Sequence, residues 1–497
     1  MPVSTAITQS AVARNVGIQT IFKDLRAGRV QFLPQRIAVV GQGSTASTYS
    51  TTKAEVTSQQ EVGETYGFGS PLHLVARELF PANGDGVGTI PVTVYPLDDD
   101  GSGVVATGDI TPSGAATEAN AFTVKVNEIE SEPFSVANGD SVATIVTAMT
   151  AAINAVLEMP VIAADNTTDV QITSKWKGTS ANDLYIEIVG PTDDVTYTIT
   201  QPVGGLVNPD VDDSLNQIGD VWETLVINCL EIGDTTNIDK YNTFGEGRWG
   251  AITRKPLVVF TGNGEADLAT AYAVPDARPL DRTNCMIACP GSNNLPCVIA
   301  AAAVNRIAVR ADNDPAYDYA SQGLPTLTPG TDAQQWTYTQ RDLAVKNGSS
   351  TTVVKDGAIE LSDTITFYKK TGEVVPAYRY VVDIMKIATI IYNLDLIFNS
   401  PEWDGKPLIP DIQPTTNRNA KKPRMAKADI AALIDSLGLN AIISDPETAK
   451  AQTVAQINEM NPKRLDISMT VQLSGNVNII SIDLNFGFYF GTSQVVA

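Results

Sequence analysis

The sequence predicts a multidomain chain of α/β and α+β character: a central mixed sheet flanked by helices, a β-rich inserted domain, and extended arms at both ends. Three observations predict it. Short apolar runs alternate with helix-like stretches over 37–97 and again over about 210–310, the spacing of strand–helix–strand units. Between them, residues 110–210 carry thirteen acidic and three basic side chains in a Thr-, Val- and Ala-rich stretch. Finally, 497 residues exceed what one core holds, so several domains are expected.

Taken in order, residues 1–36 form an arm. It holds Arg14, Lys23, Arg26, Arg29 and Arg36 against Asp24 alone, a local charge of +4 in a chain of -22, and it has no sustained helical stripe. Such a segment gains order by lying against a partner. Residues 37–97 begin the α/β core: Ile37–Val40 as a strand, Pro71–Phe80 as a helix, and Thr89–Tyr95 alternating with period two. Asp98–Gly103 reads as a hinge into the acidic insertion 98–209. Its expected strands are Ala121–Val126, Val170–Thr173, Leu184–Val189 and Val195–Thr200, with a helix over Ser141–Leu157. Concentrated charge suits an outward, solvated domain.

The core resumes over 210–345, with strands at Leu225–Leu230, Lys255–Thr261 and Asn284–Cys289. Helices are expected at Asp213–Glu223, Glu265–Tyr272 and Pro296–Arg310. The last part, 346–477, is expected to be mixed, with a hairpin over Thr364–Pro376 and a long apolar helix at Tyr380–Ile397. Shorter helices are expected at Ala426–Leu437 and Pro446–Glu459. Leu465–Leu473 and Ile480–Phe490 both alternate around Ser474-Gly475, so they are expected to pair as a hairpin. Residues 478–497 then form a C-terminal strand and arm. An edge strand this apolar is an aggregation hazard unless something covers it.

The chemistry of an enzyme is sparse. His73 is the single histidine, so no site needing two imidazoles can form, and it is expected at the surface or partly packed in a helix's first turn. Of Cys229, Cys285, Cys289 and Cys297, three lie in apolar contexts and read as buried free thiols, and the four form neither a metal cluster nor a disulfide frame in this reading. Gly41-Gln-Gly43 and Gly262-Asn-Gly264 follow apolar runs, yet neither completes a dinucleotide or phosphate-loop motif, and a tight turn explains both. The pairs among Asp98–Asp100, Asp193–Asp194 and Asp212–Asp213 read as solvated turns. No apolar run exceeds the eight residues Cys297–Val304, and Met1–Thr8 lacks the cationic start of a secretory signal. The expectation is no catalytic residue, no metal and no cofactor. Net charge argues against nucleic acid and anionic membrane as partners.

Four stretches carry a resemblance: Val56–Gly69 with Pro71–Ala76, the crossover Gly323–Gly330, Ala377–Asp383 opening the long helix, and the end of the chain from 464 to 490. With them the sequence resembles the contractile-tail sheath proteins of tailed bacteriophages, close to the phage Mu-type subgroup. The resemblance implies a virion protein, assembled in the host cytoplasm, that stacks as six-subunit rings around an inner tube. It implies contraction from a metastable extended helix, with no cofactor. Partners would be further copies, the tail tube protein, and the baseplate and tail terminator proteins. It also implies that the arms add strands to a neighbour's C-terminal domain. Arg14, Phe22, Arg26, Ile482, Leu484, Phe486, Phe488 and Phe490 are the expected arm contacts. The basic cluster Arg418, Lys421, Lys422, Arg424 and Lys427, or the helices 426–437 and 446–459, is the expected tube contact, with a solvated loop as the plainer reading of the cluster. Another structural tail, baseplate or capsid component is the first alternative, and a cofactor-binding α/β enzyme the second. The enzyme would need a cleft with convergent polar groups beside Gly41–Gly43 or Gly262–Gly264.

Overall fold

The computed structural model describes residues 30–191, 195–369, 378–484 and 486. The chain enters the core through β1 (Ile37–Gln42), all six residues buried, and β2 (Ala54–Val56). Helices α1 (Gln59–Tyr66) and α2 (Pro71–Leu79) follow, capped by Ser58 and Ser70, whose side chains accept from Glu61 N and His73 N. β3 (Val92–Leu97) returns to lie parallel to β1.

The insertion comprises β4 (Val105–Ser113), β5 (Asn120–Val126), β6 (Ile129–Glu130), β7 (Phe134–Val136), α3 (Val142–Ala155), β8 (Val161–Asp165), β9 (Val170–Lys177), β10 (Ile186–Val189) and β11 (Thr196–Val203). It folds as two small sheets, β11-β4-β9-β8 and β10-β5-β6 with β7 on β5. β4 and β8 were not expected from the sequence. Both are broken in pattern by Gly108, Pro112 or alanines, so period two is faint there.

The core continues with α4 (Asp212–Ile218), β12 (Leu225–Asn228), α5 (Thr235–Arg248), β13 (Val258–Asn263), α6 (Leu268–Asp276), β14 (Asn284–Ala288), α7 (Pro296–Asn313), α8 (Tyr338–Lys346), β15 (Ser350–Lys355) and β16 (Ala358–Asp363). Eight strands hydrogen-bond in the order β16-β15-β14-β13-β12-β1-β3-β2. The run from β15 to β3 is parallel, and both edges are antiparallel, so the sheet is mixed. β15 and β16 carry this sheet beyond residue 345, where the sequence suggested a division. The hairpin expected over 364–376 lies partly outside the described residues; the hairpin that forms nearby is β15–β16.

Alternation along the strands divides the core between two faces. Ile37, Val39, Leu225, Ile227, Val258 and Phe260 join one apolar cluster with α2 and α7. Ala38, Val40, Val226 and Val259 join another with Leu215 of α4 and Tyr241 of α5. The first cluster runs on without a break into the insertion, through Val124, Met149 and Trp176.

The C-terminal lobe holds α9 (Val381–Phe398), α10 (Pro423–Leu439), β17 (Ile443–Ser444), α11 (Pro446–Gln452), β18 (Val454–Ile457), β19 (Leu465–Ser468) and β20 (Gln472–Leu473). Two expectations fail here. The helix expected over 446–459 stops at Gln452, and β-branched Val454 and Ile457 belong to a strand. Among the described residues the terminal hairpin does not form: β19 pairs with β18 and β20 with β17, so both halves of 465–473 find partners earlier in the chain. Alternation announces a strand but does not name its partner. No described helix is long and apolar enough to cross a membrane.

Candidate functional site

Two places at the carboxyl ends of the parallel strands test for a ligand site, since open α/β sheets bind ligands there. A cleft of about 440 Å³ beside Gly262–Gly264 is lined by Asn182, Gln201, Asn263, Asn294 and Glu265 among others. The amides of Asn182, Gln201, Asn263 and Asn294 are committed to the chain itself. Gln201 brackets the backbone of Ile186, donating at 2.8 Å and accepting at 2.7 Å. Asn182 does the same for Gly205 at 3.0 and 2.8 Å, and Asn263 accepts from Glu265 N at 2.9 Å. The glycines serve packing: a Cβ on Gly262 would lie 2.1 Å from the Pro296 carbonyl oxygen, and one on Gly41 2.6 Å from Cys229 Sγ. Close approach of α7 to β13, rather than a phosphate, explains Gly262.

The thiols are buried and unpaired. Burial pushes Cys285 up to about 12 and Cys289 up to about 11, which leaves both protonated and poorly nucleophilic near neutrality. Among the described residues, no group of three His, Cys, Asp or Glu is placed to hold a metal ion.

His73 is not at the surface. It is buried at the seam between core and insertion, edge-on to Phe68, with Nδ1 accepting from Gly69 N at 3.2 Å. Burial first, then Arg77 and Lys175, lowers its pKa to about 4, so the ring is neutral at pH 7. The seam has further ties: Lys175 Nζ donates to the Phe68 and Leu157 carbonyls at 3.0 and 2.9 Å, and Asn127 Nδ2 to Asn293 O at 2.6 Å. Asp99, expected in a solvated turn, accepts from Gln42 at 2.6 Å and Thr45 at 2.7 Å. Asp212 likewise starts α4 and accepts from Lys240 at 2.9 Å. Asp193 and Asp194 lie outside the described residues.

The basic cluster divides. Lys421 lies 3.5 Å from Glu402 and 5.0 Å from the centroid of the Trp403 ring. Lys422 is buried and donates to Asp411 O at 3.3 Å and Gln413 O at 2.6 Å. These two pin the loop before α10. Arg418, Arg424 and Lys427 are exposed.

The end of the chain is the least self-sufficient region. From Val477 to Phe486, Val477, Ile479, Ile480, Ile482, Leu484 and Phe486 are 75% to 88% exposed, and none belongs to a strand of this chain. Asn478 reaches the Tyr380 hydroxyl, and beyond it no described contact holds the segment. Arg14, Phe22, Arg26, Phe488 and Phe490 lie outside the described residues. The described residues nearest the N-terminus, and those just before Val477, are held to the body. Val30 N donates to Ser436 Oγ at 2.8 Å, and Asn393 exchanges two hydrogen bonds with the backbone of Gln31, at 3.0 and 2.8 Å. At the other end Lys386 Nζ, fully buried, donates to Ser474 O and Asn476 Oδ1, both at 2.7 Å. Sequence reading missed these root contacts. The signal was present as Asp383, Lys386, Thr389 and Asn393, a polar stripe at helical spacing in an apolar helix.

Comparison with known proteins gives one sequence likeness of length. Over 439 residues the chain is 22% identical to the Mu-like prophage FluMu tail sheath protein of Haemophilus influenzae, covering 85% of this chain and 86% of that one. In sequence, the chain is tail-sheath-like over most of its length. No protein-family profile matches it. Among solved structures, a sheath tail protein from Listeria innocua is similar with a TM-score of 0.49 at 13% identity, covering 91% of this chain and 95% of that one. One from Desulfitobacterium hafniense is similar with a TM-score of 0.47 at 12% identity, covering 92% and 100%.

Proposed function

We propose that this chain is a structural subunit of a bacteriophage contractile tail sheath, of the Mu-like kind. It polymerises with its own copies around an inner tail tube, as stacked six-subunit rings, and shortens to drive the tube through a host envelope. The observation that carries this reading is the segment Val477–Phe486, apolar, exposed and unpaired in its own chain. The likeness to a tail sheath protein names the kind of assembly that would cover it.

The physics of such a joint is plain. Each large apolar side chain left in water forgoes roughly 1.5–3 kcal/mol of burial. A strand laid on a neighbour's sheet edge recovers that and satisfies backbone groups on both partners. Ile482, Leu484, Phe486, Phe488 and Phe490 are the proposed apolar contacts of the C-terminal arm. Arg14, Phe22 and Arg26 belong to the N-terminal arm, whose positive charge complements an acidic neighbour. Arg418, Arg424 and Lys427 are proposed to face the tube, with Lys421 and Lys422 holding the loop that presents them. The insertion 98–209 is proposed to face outward, and the baseplate and a terminator to close the two ends of the stack.

Electron microscopy of the purified chain, alone and with a tube protein, tests the reading. Hollow striated cylinders are expected; closed rings or shells would instead favour another tail or capsid component. Deletion of 478–497 should leave a folded subunit that no longer polymerises, and normal cylinders from the truncated chain would refute the role given to this arm.

A further inference from the structure

Both arm roots are fastened to one helix. Asn393 holds the backbone of Gln31 through a reciprocal pair of hydrogen bonds, the arrangement a strand partner would make. Lys386, two turns earlier on the same face and about 10 Å away along the axis, holds Ser474 and Asn476. Asp383 adds a 3.1 Å contact to Lys386, and Asn476 Nδ2 extends the C-terminal root to Ala316 O at 2.8 Å. Lys386, Thr389 and Asn393 are all buried, so this polar stripe lies under cover rather than facing water. A fully buried lysine beside apolar neighbours is costly unless each of its protons is used. Here its three partners are Asp383, Ser474 and Asn476.

We infer that α9 is a tie-bar between the two arms: load entering a subunit through one arm leaves through the other along this helix, by way of Lys386 and Asn393. The eight-stranded sheet is carried on this bar, since Val381, Val382, Ile384 and Met385 of α9 join its apolar cluster. This rests on the reading of the arms as links between copies. Lys386 and Asn393 are positioning residues, since their work is to hold the arm roots and not to touch a neighbour.

The test uses the full-length chain with Asn476→Ala, Asn393→Ala and, as a control, Asn154→Ala. Asn154 makes the same reciprocal amide pair with Ala163, but within the insertion. Amide exchange should rise about five- to tenfold at the root that has lost its partner and nowhere else. Cylinders from Asn476→Ala and Asn393→Ala, sheared under one fixed protocol, should be several-fold shorter than those of the parent and of Asn154→Ala. Folded variants that form no cylinders would also support the tie-bar. Equal lengths for all four proteins would overturn it. Asn476 lies outside α9 and is only half-buried, so its variant keeps the test open if Asn393→Ala does not fold. Deletion of 478–497 separates the two ideas. Normal cylinders after deletion sink the arm reading, whereas unchanged root exchange in Asn476→Ala and Asn393→Ala sinks the clamp on its own.

Discussion

β1 and the segment Val477–Phe486 are both short and apolar, and they meet opposite fates. Every residue of Ile37–Gln42 is buried between α2 and α7 on one face and α4 and α5 on the other, with parallel neighbours on both edges. The six large side chains between Val477 and Phe486 stand in water with no ladder beside them. The difference is not in the residues. A strand needs a ladder on at least one edge and cover on at least one face, and the chain supplies both for one segment and withholds them from the other. A region that folding leaves unfinished is where assembly can finish it.

Substitutions break this comparison most strongly inside the core. Gly262→Val should abolish folding, since even a Cβ would overlap the Pro296 carbonyl, and a backbone atom cannot step aside. Soluble yield and circular dichroism would show it, and a native melt would refute the packing role of that glycine. Next in size, Phe260→Ala should cost the subunit about 3–5 kcal/mol in denaturant unfolding. Phe486→Ala should change the same midpoint by less than about 0.5 kcal/mol. Comparable losses from the two would mean that the arm is already buried in its own subunit.

The seam between core and insertion sharpens the contrast, because it is buried like the core yet carries ionisable groups. His73 has its pKa lowered to about 4 from 6.5, so between those values the unfolded chain binds more protons than the folded one. Stability is full above pH 6.5 and falls as pH drops through that window, by up to roughly 3 kcal/mol. His73→Gln should flatten this slope in melts taken from pH 7 to 4. Glu128 works with opposite sign. Burial raises its carboxyl to about 7, and Oε1 is buried without a hydrogen-bond partner. Its contribution is present below about pH 4.5 and is lost as pH rises through 7. Glu128→Gln should therefore raise the midpoint of unfolding by about 1 kcal/mol at pH 8 and leave it unchanged at pH 4. A destabilised variant at pH 8 would show that the ionised form is the one the seam prefers.

Much of the core was legible because its elements are local. Ile37–Val40, Leu225–Leu230, Asn284–Cys289 and Pro296–Arg310 carry their periodicity in their own residues and form close to where expected. The stretches that misled are those whose state depends on a partner. Residues 465–473 alternate as a strand should, but pair with Val454–Ile457 and Ile443–Ser444 instead of with the arm. His73 and Asp99 have the composition of surface positions, yet tertiary packing sets His73 against Phe68 and Gly69 and brings Gln42 and Thr45 to Asp99. Lys421 and Lys422 looked equal to Arg418, Arg424 and Lys427 until the loop at 402–413 folded over them.

By itself the sequence determined the classes of element, the acidic insertion between two halves of a core, the poverty of catalytic groups, and the apolar alternation beyond Val477. These follow from side-chain type and spacing, which act over a few residues. The order of the eight strands, the separate fates of Lys421 and Lys422, and the fastening of Gln31, Ser474 and Asn476 to α9 were decided only in three dimensions. Those depend on contacts between residues up to 406 apart, such as Val30 with Ser436, and no local pattern encodes which distant group will arrive.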